Sequence, residues 1–249
     1  MAVTTSAASP TATARNSYPW ILIGLLWLVA FLNAADRNIL IAVLPDLKEE
    51  FGLTNNQLAL LGSVFFWVYA VGAFIAGRIG DSVRRTRVIL YGLIFWSVAT
   101  GASALATGFA LLLAMRGLVA VGESAYYPTA TALIGDWHKP EMRSRALSIH
   151  QTAVFAGAGL GAVATGYIAE ALSWHAPFII FGAIGLIHAV VLARTLKDAP
   201  IKRAVNHGSH TRHRSTGERP GERGLPHLRR SRSTGEGKRE GNEGPKESS

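Results

Sequence analysis

Six stretches of this chain stay apolar for about 20 positions each, with few polar interruptions: residues 20–44, 58–77, 88–106, 110–133, 146–168 and 176–196. About 20 apolar residues in helical form match the roughly 30 Å hydrocarbon core of a bilayer, so each stretch is predicted to be a membrane-spanning helix. The polar sequence between them is too short to coat a soluble core of that size. From residue 200 the pattern stops. Residues 207–249 are rich in Gly, Arg, Glu, Ser and Pro and nearly devoid of large apolar side chains. Such a segment cannot bury enough surface to offset the entropy of ordering it, and it is predicted to be disordered. The chain divides into a flexible segment at 1–17, a six-helix bundle at 18–199 and a disordered basic tail at 200–249.

Charge sharpens this picture. Charged residues make up only 16% of the chain, against about 25% in soluble domains, as expected where lipid covers much of the surface. The net charge of +9 is concentrated in the tail: residues 1–199 hold 13 Lys/Arg and 10 Asp/Glu (+3), residues 200–249 hold 12 and 6 (+6). No basic stripe with interleaved aromatics runs through the apolar part, so no nucleic-acid partner is expected. The basic loops all fall on one side: Arg78, Arg84, Arg85 and Arg87 after the second stretch, Lys139, Arg143 and Arg145 after the fourth, Lys197, Lys202 and Arg203 after the sixth. The first loop sets Lys48 against Asp46, Glu49 and Glu50, the third is uncharged and the fifth has only Glu170. By the positive-inside rule both termini lie in the cytoplasm of a multi-pass protein of the inner or plasma membrane. The first 17 residues lack the basic start and short apolar core of a cleaved signal peptide. There is no cysteine, which excludes disulfides and thiolate metal sites. No metal-ligand constellation, nucleophile arrangement or Walker-type phosphate loop stands out, so neither an enzyme nor an ATP-driven pump is indicated.

Four ionisable residues interrupt the apolar stretches. Asp36 and Arg37 lie in the first, about two thirds of the way across; Arg116 and Glu123 lie in the fourth. A charge at mid-membrane costs about 2.5–3.5 kcal/mol on insertion scales, so such residues mark function by default. Neighbouring residues point about 100° apart on a helix, so Asp36 and Arg37 cannot share a face and each needs its own partner or a wet cavity. Asn33 shares the face of Arg37, while Glu123, Tyr126 and Tyr127 cluster on one face. Two readings stay open: a purely structural pairing of Arg37 with Glu123 or of Asp36 with Arg116, or a functional polar site. The charges sit in the first helix of each successive triplet, a placement that fits two inverted three-helix repeats around a central site.

The loop Gly77-Arg78-Ile79-Gly80-Asp81-Ser82-Val83-Arg84-Arg85-Thr86-Arg87 resembles the signature between helices two and three of the major facilitator superfamily. Gly77, Asp81 and Arg85 match that pattern. Ser82 and Thr86 replace basic residues, Arg84 replaces a glycine, and Arg87 supplies a basic residue one place late. Asp81 can pair with Arg85 four residues on or favour a helix N-terminus. The resemblance implies that Gly77, Asp81, Arg85 and Arg87 belong to a gating loop that clasps neighbouring helices; an ordinary topology-setting loop is the plainer alternative. Ala35-Asp36-Arg37-Asn38 resembles an element of the anion:cation symporter family. The run from Arg116 to Glu123 resembles one shared with spinster-like lipid transporters, as does the loop of Asp136-Trp137-His138 with Arg143-Ser144-Arg145-Ala146. The resemblance covers about residues 18–199.

It implies an all-α membrane protein whose six transmembrane helices form two inverted repeats, half of a major facilitator fold. It also implies a secondary transporter of a small organic anion such as a sugar acid or carboxylate, with no cofactor and a proton as coupling ion. Arg37 and Arg116 would attract the anion, Asn33, Tyr69, Tyr126 and Tyr127 would contact it, and Asp36 or Glu123 would carry the proton. Alternatives are a spinster-like lipid carrier, favoured by a wide apolar groove, and a truncated non-transporting half or partner subunit. Beyond lipids and substrate, the implied partner is a second six-helix half or a second copy. The tail at 200–249 is expected to be out of frame, or else to touch RNA or lipid headgroups. Ala153, Gly157, Gly161 and Thr165 form a small-residue stripe suited to close helix packing. The fifth helix lacks the antiporter Gly-Pro pair, which favours symport or uniport. His150 is read as a proton carrier or as a structural group.

Overall fold

A computed structural model describes residues 17–79 and 83–199, and among them every regular element is an α-helix. In chain order these are α1 (Tyr18–Phe51), α2 (Asn55–Ile79), α3 (Arg85–Ser103), α4 (Phe109–Ser124), α5 (Tyr126–Trp137), α6 (Pro140–Ala171) and α7 (His175–Thr195). The segments 1–16 and 200–249 and the residue Asp81, for which the sequence carries expectations, lie outside the described residues.

The predicted fourth span is two helices. α4 stops at Ser124 and α5 starts at Tyr126, with Ala125 between them. Pro128 is the cause: it has no N–H for the carbonyl of Ser124, and its ring clashes with that carbonyl. Hydroxyls bond to backbone carbonyls near the proline. Thr129 donates to the Ala125 carbonyl at 2.6 Å and Thr131 to that of Tyr127 at 3.0 Å. The first span also runs longer than predicted. α1 has 34 residues, about 51 Å at 1.5 Å per residue, and continues through Pro45 until Gly52 takes the left-handed conformation (φ 60°) and its N–H caps the Lys48 carbonyl.

Five helical stretches are long and apolar enough to cross a membrane: Tyr18–Phe51, Asn55–Ala76, Phe109–Trp137, Pro140–Ala171 and His175–Thr195. α3 falls short of that mark, because Arg85 and Arg87 open it and Ser97, Thr100 and Ser103 occupy its buried face. It still lies along α4 and α7 as the sixth rod of the bundle.

Packing follows the repeat. α1 lies along α6, α2 along α4, and α3 along α7. In terms of spans, the first helix of each triplet packs on the second helix of the other, and the two third helices pack together. Exchanging the triplets leaves this arrangement unchanged. Glycines set the close approaches. A Cβ on Gly157 of α6 would collide with the Phe31 carbonyl of α1, and one on Gly161 with Ala35; Gly182 and Gly185 of α7 meet Ser97 of α3 in the same way. Two apolar clusters fill the interior. One gathers Leu22, Leu26, Ile89, Leu93 and Leu133, the other Leu40, Val43, Leu47, Leu61, Leu112 and Phe178. The intramembrane charges lie where the two clusters meet.

Candidate functional site

α1 and α4 bring the four charges into one belt. Arg37 Nε donates to Glu123 Oε2 at 3.1 Å, and Arg37 Nη2 donates to Asn33 Oδ1, one turn earlier on α1, at 3.1 Å. Arg116 Nη2 donates to the backbone carbonyl of Arg37 at 3.3 Å, tying α4 to α1. Asp36 points away toward α3, where the Thr100 hydroxyl donates to its Oδ2 at 2.8 Å. The 100° offset between neighbours thus sends the two adjacent charges to different partners. The Arg37–Glu123 pair foreseen as one alternative is present; among the described residues no Asp36–Arg116 ion pair accompanies it. With all four groups ionised the belt is neutral.

Aromatic rings hold the two guanidinium groups. Arg37 lies 5.2 Å from the centre of the Phe65 ring and 4.7 Å from that of Tyr69, and Arg116 lies 4.5 Å from Phe65. Phe65 is therefore shared by both cations, a contact worth about 0.5–2 kcal/mol for each. Accessibility differs along the belt. The Glu123 side chain is fully enclosed, whereas that of Arg37 is 32% exposed. Arg37 is the charge at the open side and Glu123 its interior partner. Asn33 Nδ2, Arg116 Nε and Glu123 Oε1 are buried without a hydrogen-bond partner, so the belt keeps donors and an acceptor in reserve.

The two tyrosines of α5 separate. Tyr126 is buried, its hydroxyl donating to the Leu26 carbonyl at 2.7 Å and lying 2.9 Å from His150 Nε2. Tyr127 is exposed at its edge and donates to Gln151 Oε1 at 2.5 Å. Neither hydroxyl bonds to the Glu123 carboxylate; both meet side chains of α6.

At the basic end of the bundle, Arg85 forms an ion pair with Asp136 of α5. The Thr86 N–H donates to Asp198 Oδ1 at 3.1 Å, and Trp137 Nε1 donates to the Lys197 carbonyl at 3.2 Å. The starts of α1 and α3 and the ends of α5 and α7 are tied here. Arg87 is exposed in the first turn of α3, and Gly77 sits in the last turn of α2. Sequence reasoning assigned no role to Thr100 or Phe65. Thr100 was readable in the Ser97, Thr100, Ser103 spacing on one face of α3; nothing in the sequence singles out Phe65 from other phenylalanines.

A separate cavity of about 560 Å³ opens between α2 and α4, walled by Trp67, Val71, Ile75, Val88, Val121 and Ala125. Its lining is almost wholly apolar.

The family model described as Major Facilitator Superfamily matches residues 26–234. The human protein named spinster homolog 1 is 33% identical over 183 residues, covering 72% of this chain and 35% of its own. The hexuronate transporter of Bacillus subtilis is 30% identical over 186 residues, covering 75% and 44%. A crystal structure of a bacterial homologue of the human lysosomal transporter Spinster, inward-facing and unoccupied, superposes with a TM-score of 0.67 at 26% identity, over 75% of this chain and 45% of that one. The chain thus spans between a third and a half of the length of these relatives.

Proposed function

The chain belongs to the Major Facilitator Superfamily, and from that premise we propose that it supplies one six-span wall of a proton-coupled carrier for a small organic anion. The observation that carries this reading is the Arg37–Glu123 pair, with its cation at the open side and its carboxylate enclosed. A proton on Glu123 removes the charge that holds Arg37, leaving the guanidinium for an incoming carboxylate; departure of the anion restores the pair and returns the proton. Arg116 supports the same anion and holds the backbone of Arg37 in place. Asp36, facing Thr100, is the alternative proton carrier. Likeness to a relative named as a hexuronate transporter favours a sugar acid. The membrane would be the inner or plasma membrane, with both termini cytoplasmic. The opposite wall would come from a second six-helix half or a second copy.

A second reading, a spinster-like carrier of an amphipathic lipid, draws on the apolar cavity between α2 and α4 and on the likeness to spinster proteins.

The test is proton-driven uptake by proteoliposomes containing the chain, alone and together with a second half, from a panel of sugar acids, dicarboxylates and lysolipids. Sugar-acid uptake should fall at least tenfold in Arg37→Ala and persist in the surface control Lys48→Ala. Uptake indifferent to Arg37→Ala sinks the site assignment. Uptake of lysolipids alone moves the function to the second reading.

A further inference from the structure

A second polar recess, of about 600 Å³, lies between α5 and α6 and contains none of the four belt charges. Tyr127, four residues beyond Glu123 and on the far side of Ala125, forms one edge. From there it extends toward the α5–α6 turn. α6 furnishes one side: Arg143, Ser144, Ser148 and Gln151 line the recess. Ser144, Ser148 and Gln151, spaced by four and three residues, share one helix face, and Arg143 stands about 100° round from Ser144 at its flank. They form a rail of hydroxyls and an amide with a guanidinium at its outer end. The Arg143 side chain lies along Gly135 of α5, and among the described residues it enters no ion pair.

The inner end of the recess is built by a buried histidine. His150 is 1% exposed, yet it lines the cavity. Its tautomer follows from its neighbours. The single hydroxyl proton of Tyr126 goes to the Leu26 carbonyl, which can only accept. The contact between His150 Nε2 and the Tyr126 oxygen, at 2.9 Å, therefore requires the proton on Nε2. That leaves Nδ1 as the unprotonated acceptor of a ring that lines the cavity. A relay from His150 to Tyr126 to the backbone of α1 fixes this orientation and prevents the ring from turning its donor inward.

We propose that this recess is a second binding site, for a polyhydroxylated anion. Arg143 takes its carboxylate or phosphate, Ser144, Ser148 and Gln151 contact its hydroxyls, and His150 Nδ1 accepts a hydrogen bond from the innermost one. Arg143 and His150 are seven residues apart, about 10.5 Å along the axis, so the ligand is long enough to carry an anionic group at one end and hydroxyls along its length. A free sugar acid and the headgroup of a glycerol-based lysolipid share this chemistry. The site rests on the reading that the protein handles an organic anion, and it gives that anion a station separate from the Arg37 belt.

The experiment uses the full chain in nanodiscs with 15N-labelled histidine, titrated separately with D-glucuronate and with lysophosphatidylglycerol. The His150 ring signals are assigned by their loss in His150→Gln. One of the two probes should shift the Nδ1 signal, and which one does identifies the source of the anion. Arg143→Gln should raise the half-saturating concentration at least tenfold and Arg143→Lys by less, with the melting temperature unchanged since Arg143 is exposed. Arg37→Gln should leave this titration within twofold. A His150 signal unmoved by both probes, or a titration indifferent to Arg143→Gln, overturns the proposal. Arg37-dependent glucuronate uptake with a silent His150 overturns the recess alone. A shifting His150 beside uptake indifferent to Arg37 overturns the transport site and leaves the recess standing.

Discussion

Asp36 and Arg37 are adjacent in sequence and serve different walls. One turns to Thr100 on α3, the other to Glu123 on α4. The hydrogen bond that reaches Asp36 from α3 comes from one hydroxyl, that of Thr100. Thr100→Val keeps the shape and removes the donor, and should cost about 1.5–3 kcal/mol if the carboxylate is charged. Thermal unfolding in detergent measures this, and Thr100→Ser should recover most of the loss; equal stability of all three would mean that Asp36 has another partner. The four charges were legible as residues, since charge in an apolar stretch is conspicuous. Their pairing was open, because two cations and two carboxylates on two helices allow more than one match. Phe65, wedged between both guanidinium groups, was invisible because a phenylalanine in a membrane helix carries no local signal.

Helices in this chain were easier to foresee than their ends and breaks. Apolar length predicted six rods, but the run at 110–133 concealed the interruption that Pro128 imposes at Ala125. Tyr126 and Tyr127 bond to His150 and Gln151, so the expectation that they cluster on one face with Glu123 gives way to contacts with α6. The small-residue stripe on α6 predicts close packing, and α1 is the helix that uses it. Gly157→Val should lower stability by about 1–3 kcal/mol, because the added atoms meet the α1 backbone. Gly159, which has open space where a Cβ would lie, gives the contrast: Gly159→Ala should be neutral or stabilise by up to about 1 kcal/mol. Chemical or thermal unfolding of the two variants side by side checks this, and equal losses would mean that α6 does not approach α1 through Gly157.

For the molecule as a whole, the basic loops gather at one end, where Arg85 meets Asp136 and Thr86 meets Asp198. The acidic first loop lies at the other, where Trp174 bonds to Glu50. The absence of cysteine makes orientation testable with single introduced thiols. In inside-out vesicles a membrane-impermeant maleimide should label Arg87→Cys and spare Asn55→Cys, with the reverse in right-side-out vesicles. Labelling of both positions from one side would sink the predicted topology. Broad apolar faces remain exposed on α2 (Phe66, Trp67, Phe74) and α6 (Phe155, Val163, Tyr167), surfaces suited to lipid or to an opposite wall.

The sequence by itself determined the number of rods, their apolar character, the clustering of basic loops and the identity of the buried charges. All of these follow from counting local composition against the thickness of a bilayer and the cost of charge within it. Only the tertiary structure decided that Arg37 is matched with Glu123, that Asp36 is matched with Thr100, and that His150 meets Tyr126 at the edge of a recess beside α5. Those outcomes depend on which helices approach closely enough for their side chains to meet. Glycine contacts set that approach across separations of more than about a hundred residues, as between Gly157 and Phe31, where local sequence pattern carries no distance information.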